Sequence, residues 1–173
     1  MTTRIHVLSL SDYNEGRLIG AWIDTEDQTS DTLYETIQTE VLNKSRSIVA
    51  EEWIIADHEG YPFDASQLSL ETIEAIEVAC NISDNREAML AFLSCFPEYR
   101  QSCHCWRSVT DAFEARYQGE HDNDEMFTED YVHGVGLLSD ASDLLSRYFD
   151  WDKFERDLMF DYCSENNHYF YSN

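Results

Sequence analysis

The excess of acidic residues constrains this chain more than any other feature of its sequence. Thirty-five Asp and Glu residues face eleven Lys and Arg residues, which gives a formal net charge of −24 over 173 residues. A small soluble domain needs a net charge of only about 2–8 in magnitude, and a higher charge destabilises the compact state through self-repulsion. The charge therefore indicates a function that depends on it.

The acidic residues occur along the whole chain. Residues 1–60 contain 12 acids and 4 bases, residues 61–105 contain 7 and 2, and residues 106–173 contain 16 and 5. The hydrophobic fraction of 43% is too high for a disordered chain, so we expect a folded body that is acidic throughout. Such a surface repels nucleic acid and anionic lipid and attracts basic grooves.

The cysteines and the N-terminus predict a cytoplasmic location. The chain has five cysteines, an odd number that favours free thiols in a reducing compartment. The N-terminus runs directly into a predicted strand and lacks a signal-peptide pattern. Since no apolar run approaches the roughly 18 residues of a membrane helix, we expect no membrane partner.

Residues 1–61 predict a three-stranded sheet with one helix. Residues 4–10, 17–24 and 51–57 have strand composition, and the first two predict a β-hairpin around a polar loop. Ser30 is the predicted cap of the helix, because apolar residues repeat after it at the period of one helical face. These residues are Leu33, Ile37 and Val41.

Residues 62–104 predict a small helical middle subdomain. Ser69 is the predicted cap of a helix whose apolar face comprises Leu70, Ile73, Ile76 and Cys80. Asp84 and Glu87 have the spacing of a capping box at the start of a second helix.

Residues 105–173 predict a mixed α/β subdomain. One helix is expected from Ser108–Asp111 to about Gly119, and two more begin after Asn123 and Asp150. The aromatic run 168–171 favours a strand. Together the three segments predict an elongated α+β protein built from three abutting subdomains.

Acidic residues recur at spacings that suit imitation of the DNA backbone. Glu71, Glu74 and Glu77 follow one another at steps of three, which rise about 4.5 Å along a helix. Successive phosphates rise about 3.4 Å along the DNA axis. Any single acid is better explained as an ordinary solvated residue than as a recognition contact, so the hypothesis depends on the set. The predicted DNA-mimic surface comprises Asp24, Glu26, Asp27, Asp31, Glu35, Glu40, Glu71, Glu74, Glu77, Asp84, Glu87, Asp111, Glu114, Glu120, Asp122, Asp124, Glu125, Glu129 and Asp130.

The total charge sets a length scale for such a mimic. Duplex DNA carries one charge per about 1.7 Å, so 24 charges correspond to roughly 40 Å of duplex, and a homodimer to roughly 80 Å. A two-fold dimer would also match the symmetry of a bipartite DNA site.

Metal-dependent and catalytic alternatives find little support. Cys103-His104-Cys105 lacks the spacing of a structural zinc site. Asp122-Asn123-Asp124 begins like a calcium loop but continues with Met126 and Phe127 where a ligand and a glycine belong. His58 lies between two acids without a nucleophile motif nearby. We therefore expect no catalytic residue, no metal and no cofactor.

Several segments resemble the ArdA antirestriction proteins. The resemblance begins with Ser9-Leu-Ser-Asp-Tyr-Asn-Glu-Gly-Arg-Leu-Ile-Gly-Ala-Trp22 and continues with Glu51-Glu-Trp-Ile-Ile-Ala-Asp-His-Glu-Gly60. Ala112-Phe-Glu-Ala-Arg-Tyr-Gln-Gly119 is similar as well. Gly136-Leu-Leu-Ser-Asp140 and Tyr148-Phe-Asp-Trp-Asp-Lys-Phe-Glu-Arg-Asp-Leu158 resemble the family's antirestriction motif region.

The resemblance implies an elongated, three-domain, dimeric DNA mimic carried by mobile elements. It implies that the partner is a type I restriction–modification enzyme, bound through its specificity and modification subunits. Restriction would be blocked, and whether modification is blocked too stays open. By resemblance the motif region contains Leu137, Leu138, Asp140, Tyr148, Phe149, Asp150 and Asp152.

Two other interpretations of the acidity stay open at this point. The chain could be a DNA mimic directed at another DNA-binding protein, such as a nucleoid or repair protein. It could also be an acidic domain adapted to high salt, with an unrelated function.

Overall fold

The computed structural model describes residues 2–101, 106–142 and 146–172 and has an α+β fold. The chain divides into two compact units, Met1–Asp111 and Ala112–Asn173, each with its own three-stranded antiparallel sheet. The predicted fold class is therefore confirmed. The predicted subdomain boundaries, 1–61, 62–104 and 105–173, stay predictions.

The first unit contains a sheet followed by helices. Its strands are β1 (Arg4–Ser9), β2 (Gly20–Asp24) and β3 (Trp53–Glu59). Its helices are α1 (Leu10–Asn14), α2 (Ser30–Glu40), α3 (Leu70–Ile82), α4 (Arg86–Cys95) and α5 (Pro97–Gln101), with a 3-10 turn at Leu42–Lys44. Helix α6 (Trp106–Arg116) follows and continues into the second unit.

Strand β1 is the centre of the first sheet. It pairs antiparallel with β2 and with β3, and the register to β3 shifts between His6 and Val7. Ile5 and Val7, which share one face of β1, are fully buried. The predicted hairpin and third strand are thus confirmed.

A short helix, α1, occupies the polar loop predicted between the first two strands. Its cap is Ser9, and Asp12 is fully buried beside it. The Asp12 carboxylate accepts hydrogen bonds from the Ser45 hydroxyl, from Arg17 Nε at 2.7 Å and from Ser9 Oγ at 2.9 Å. These donors lower the pKa of Asp12 from 3.8 to about 2, with Ser45 the largest cause. The loop is therefore held by a buried carboxylate.

The predicted helical faces are confirmed, but two caps are wrong. Leu33, Ile37 and Val41 are fully buried, as are Ile73 and Ile76. Ser69 caps α3 as predicted. Thr29, rather than Ser30, caps α2 in a capping box with Thr32. Asn85, rather than Asp84, caps α4 by accepting from the Ala88 amide at 3.0 Å. In both cases the cap is one residue from the predicted position.

The second unit alternates short strands and helices. Its elements are β4 (Tyr117–Glu120), α7 (Asp124–Gly134), α8 (Trp151–Leu158), a 3-10 turn (Met159–Asp161), β5 (Tyr162–Glu165) and β6 (His168–Tyr171). The sheet order is β4-β6-β5. Phe127 stacks on Tyr169 at 4.4 Å between centroids, and both are buried in the core with Phe170.

Some predicted elements of this unit are confirmed and others are wrong. Asn123 and Asp150 cap α7 and α8, and residues 168–171 form β6, as predicted. The helix predicted to reach Gly119 ends at Arg116, because Tyr117–Glu120 pairs with β6. Strand β5 was not predicted. It joins β6 through a two-residue turn, Asn166 and Asn167, whose φ angles are 49° and 69°. Asn tolerates this left-handed conformation in hairpin turns.

The cysteines correct one further expectation. Cys80 is buried, whereas Cys95 and Cys163 are disulfide-bonded. The prediction of free thiols throughout is therefore wrong for the latter two.

Candidate functional site: acidic surfaces of the two units

Most of the predicted acidic surface is solvent-exposed. Of the nineteen acids, Glu77 is buried, Glu26 and Glu74 are half-buried, and sixteen are exposed. The exposed acids are Asp24, Asp27, Asp31, Glu35, Glu40, Glu71, Asp84, Glu87, Asp111, Glu114, Glu120, Asp122, Asp124, Glu125, Glu129 and Asp130.

Glu77 does not belong to the predicted acidic row. It is 1% exposed and accepts hydrogen bonds from Tyr61 at 2.7 Å, Thr3 at 2.8 Å and Thr25 at 3.1 Å. Its other oxygen accepts from Arg86 Nη2 at 2.6 Å. The spacing explains the burial, because residues 73, 77 and 80 lie at i, i+4 and i+7 on the apolar face of α3. Glu77 is a structural residue that connects α3 and α4 to the strands.

The two half-buried acids also have structural partners in the first unit. Glu74 accepts from the Ser30 backbone amide at 2.8 Å, where the N-terminus of α2 favours a negative charge. Glu26 accepts from the Thr3 amide at 3.2 Å and lies 3.5 Å from Arg86 Nε. These contacts restrict both side chains, so they are less suited to bind a partner than the exposed acids.

Some exposed acids have local partners as well. Glu40 pairs with Lys44, and Asp130 lies 3.2 Å from His121 Nδ1. Asp27 accepts from Asn81 at 3.0 Å. Exposed ion pairs contribute little to stability, typically under about 1 kcal/mol. A partner's cations could replace these contacts at little cost.

The second unit contains an acidic cleft of about 920 Å³. The N-terminal half of α7, the first turns of α8 and the β5–β6 turn line it. Six of its described lining residues are carboxylates, and none of its described lining residues is Lys, Arg or His. The six are Asp124, Glu125, Glu129, Asp152, Glu155 and Glu165. The acidic cleft therefore brings six carboxylates together around one volume.

Burial and neighbouring carboxylates together shift pKa values in the acidic cleft. Burial, and then the negative charges of Asp124, Asp152 and Glu125, raise the pKa of Glu155. Burial and the Asp124 carboxylate also raise the pKa of Tyr169, whose hydroxyl donates to Asp124 at 2.6 Å. The carboxylates of the acidic cleft therefore repel one another.

The acidic cleft overlaps the predicted DNA-mimic surface only in part. Asp124, Glu125 and Glu129 of that surface line it, and Asp152 comes from the predicted motif region. Glu155 and Glu165 were not predicted as site residues. A signal for Glu155 was present, since it follows Asp152 at i+3 on a predicted helix. Glu165 could be placed only with the unpredicted β5–β6 turn.

The motif region is divided between exposed and packed residues. Leu137 and Tyr148 are 50% and 80% exposed, and Asp140, Asp150 and Asp152 are also exposed. Leu138 and Phe149 are half-buried. The Phe149 ring packs against Trp151 at 4.8 Å and Phe154 at 5.3 Å between centroids. Asp150 caps α8, so it supports the fold as well as the surface.

The structure describes only part of the other constellations considered from the sequence. Cys103, His104 and Cys105, the zinc alternative, lie outside the described residues. In the part of the chain that the structure describes, no group of His, Cys, Asp and Glu is arranged to hold a metal ion. His58 lies 3.7 Å from Asp64 and contacts the edge of Tyr61. None of the helices in the described ranges has the length and apolar character needed to span a membrane.

Both units carry exposed carboxylates, and each is built around a three-stranded antiparallel sheet. The sequence matches the family model described as "Antirestriction protein (ArdA)" over residues 5–171. The chain therefore belongs to the ArdA family of antirestriction proteins, which confirms the resemblance found in the sequence. A comparison with curated proteins returned no match.

Proposed function

We propose that this protein inhibits type I restriction–modification enzymes by occupying their DNA-binding groove as a DNA mimic, and that it has no enzymatic activity. The partner surface lies on the specificity and modification subunits. The observation that carries the proposal is the exposure of sixteen of the nineteen predicted acids in an antirestriction family member.

The spacing of exposed acids supports imitation of a phosphate row. Asp111 and Glu114 are both exposed at a step of three on α6, which rises about 4.5 Å. Glu125 and Glu129 are exposed one turn apart on α7, a rise of about 6 Å. Successive phosphates of one DNA strand rise about 3.4 Å along the axis. Lysine and arginine side chains that neutralise these phosphates can also reach carboxylates spaced as on α6 and α7. Steering by opposite charge would make association fast and sensitive to salt.

The proposed contact surface is the set of exposed acids together with the motif region. Glu77 is excluded because it is buried. Leu137 and Tyr148 expose apolar surface that would be covered in a homodimer, the assembly that doubles the imitated length of DNA.

A competition titration tests the proposed function. A labelled target duplex is bound to a purified type I methyltransferase core, and the protein is added at several salt concentrations. We expect stoichiometric displacement of the duplex that weakens as salt rises. Absence of displacement at low salt by the folded protein would overturn the assignment of this target.

A sixfold amide variant sharpens the test. It replaces the acids of 120–130 by amides, namely Glu120→Gln, Asp122→Asn, Asp124→Asn, Glu125→Gln, Glu129→Gln and Asp130→Asn. We expect displacement at least about tenfold weaker, because six charges are lost from one surface. The matched control exchanges Asp and Glu at the same six positions and keeps the charge. We expect the control to stay close to the original protein, and no single amide substitution to abolish displacement.

A further inference from the structure

Strand β2 is an edge of the first sheet, with β1 as its neighbour on one side. Two backbone hydrogen bonds flank the paired segment. The Ser9 N–H donates to the Ile19 carbonyl at 2.9 Å, and the Thr25 N–H donates to the Thr3 carbonyl at 3.0 Å. Hydrogen-bonded and non-hydrogen-bonded pairs alternate along an antiparallel ladder, and the register between the two bonds does not shift. The odd-numbered residues of β2 therefore bond to β1, and the backbone groups of the even-numbered residues point outward.

The outward backbone groups of β2 belong to Gly20, Trp22 and Asp24. All three residues are exposed. Within the described ranges, their outward N–H and C=O groups have no hydrogen-bond partner. A row of such groups on an edge strand is a template for pairing with another strand. Charged side chains often block an edge of this kind, but Asp24 is the one acidic residue in β2.

The opposite edge of the sheet, β3, is better protected against pairing. His58 lies opposite Ile5, an odd-numbered residue whose backbone bonds to β2, so the His58 N–H points outward. This N–H donates to the Asp57 carboxylate at 2.8 Å. Strand β3 also carries a second exposed acid, Glu59. Of the two edges, β2 is therefore the one more open to another strand.

The sequence of β2 is complementary to itself in an antiparallel arrangement. With a two-fold axis at Trp22, Gly20 of one copy lies opposite Asp24 of the other, so no acid faces an acid. Ala21 lies opposite Ile23, an apolar pair on the core face of the sheet. Trp22 lies opposite Trp22 of the other copy, and facing aromatic residues stabilise paired strands.

We propose that β2 pairs antiparallel with β2 of a second copy of this chain, with the two-fold axis at Trp22. The pairing joins two three-stranded sheets into one sheet of six strands. Trp22 is 39% exposed, and its ring centroid lies 5.0 Å from that of His6 and 4.9 Å from the Arg4 guanidinium. These contacts order the ring before association, so its burial costs less side-chain entropy.

The net charge gives this pairing a distinctive salt dependence. Two copies with a charge of −24 each repel one another, and salt screens this repulsion. Pairing through backbone hydrogen bonds and Trp22 should therefore strengthen as salt rises. Displacement of DNA from a restriction enzyme by the proposed mimic should weaken instead. The self-pairing does not depend on the proposed function, and the two proposals can fail separately.

Amide hydrogen exchange of the full chain at increasing protein concentration tests the pairing. We expect the Trp22 and Asp24 amides to exchange more slowly as concentration and salt rise, roughly tenfold where about nine-tenths of the chains are paired. The Ala21 and Ile23 amides already bond to β1, so their exchange should not change. Constant exchange at Trp22 and Asp24 over the whole range of concentration and salt would overturn the proposal.

Two lysine variants provide the matched comparison. Trp22→Lys and Ile82→Lys each make the net charge less negative by one, and Ile82 is 48% exposed on α3. Trp22→Lys also places like charges opposite one another at the two-fold axis, which is unfavourable in paired strands. Sedimentation equilibrium should show self-association at least about tenfold weaker for Trp22→Lys and no weaker for Ile82→Lys. Trp22→Tyr keeps an aromatic ring and should still associate.

The variants also separate this surface from the proposed homodimer surface of the second unit. Leu137 and Tyr148 are intact in all three variants, so association through them is the same in each. If Trp22→Lys associates as strongly as the original protein, another surface is responsible and the proposal fails. Folding of each variant is checked from the amide signals of the second unit and of β3. The exchange experiment on the original protein decides the question if Trp22→Lys misfolds.

Discussion

One carboxylate of the first unit and two carboxylates of the second unit lie in opposite environments. In the first unit, Glu77 is buried and accepts hydrogen bonds from three hydroxyl groups and from Arg86. In the second unit, Glu129 and Glu155 line the acidic cleft, whose described lining residues include no cationic side chain. The first arrangement satisfies the charge within the fold, whereas the second leaves it available.

This difference separates structural acids from candidate binding acids. A buried charge must be paired and hydrogen-bonded, and the loss of one partner is costly. An unpaired carboxylate near others raises the free energy of the folded state and is retained where a partner supplies the opposite charge. Net charge alone does not distinguish the two, since Glu77 and Glu155 count equally toward −24.

The largest predicted effect is that of removing Glu77. Glu77→Ala should lower the free energy of unfolding by about 3–5 kcal/mol, because the largely buried Arg86 loses its 2.6 Å partner. Urea unfolding followed by circular dichroism measures this change. Glu51→Gln serves as the exposed control and should lie within about 0.5 kcal/mol of the original protein. A loss under 1 kcal/mol for Glu77→Ala would mean that Glu26 replaces Glu77 beside Arg86.

The second prediction concerns Asp12, a buried acid whose pKa is shifted downward. Its pKa falls from 3.8 to about 2 in the folded state, so it stabilises the fold above about pH 4. This stabilisation is lost as the pH falls toward 2, when the folded protein also binds the proton. The difference in unfolding free energy between the original protein and Asp12→Asn should therefore shrink between pH 4 and pH 2. A difference independent of pH would show that hydrogen-bond geometry, rather than charge, makes Asp12 important.

Local sequence patterns predicted helices and strands, but not the elements that depend on contacts between residues distant in sequence. The stripe of Leu33, Ile37 and Val41 identifies a helix by its period, and all three residues are buried. Strand β4 is only four residues long and depends on pairing with β6, some fifty residues later. The local periodicity of a sequence carries no information about such a pairing.

The sequence predicted that the candidate site is rich in carboxylates, but not how these carboxylates are arranged in space. Sequence spacing placed Glu77 in a surface row, although i, i+4 and i+7 spacing with Ile73 and Cys80 was a readable sign of burial. Its partner Arg86 lies on another helix, so the pairing itself was not readable. The acidic cleft needs α7, α8 and the β5–β6 turn together. The turn has a local signal of its own, since Asn166-Asn167 lies between two aromatic-rich runs, a pattern typical of a hairpin.

The smallest predicted effect is that of removing the charge of Glu155. This change should stabilise the fold, whereas removal of Glu77 should destabilise it. Burial and neighbouring carboxylates raise the pKa of Glu155, so its charged form destabilises the second unit at neutral pH. Glu155→Gln should therefore stabilise this unit by a few tenths of a kcal/mol at low salt, the size of a like-charge pair on a helix. The gain should disappear in high salt, where the repulsion is screened, and at a pH low enough to protonate Glu155 in the original protein. Hydrogen exchange of the α7 and α8 amides in low and high salt measures it locally. A loss of protection in Glu155→Gln would instead place Glu155 among the structural acids with Glu77, and the contrast between the two units would not extend to this residue.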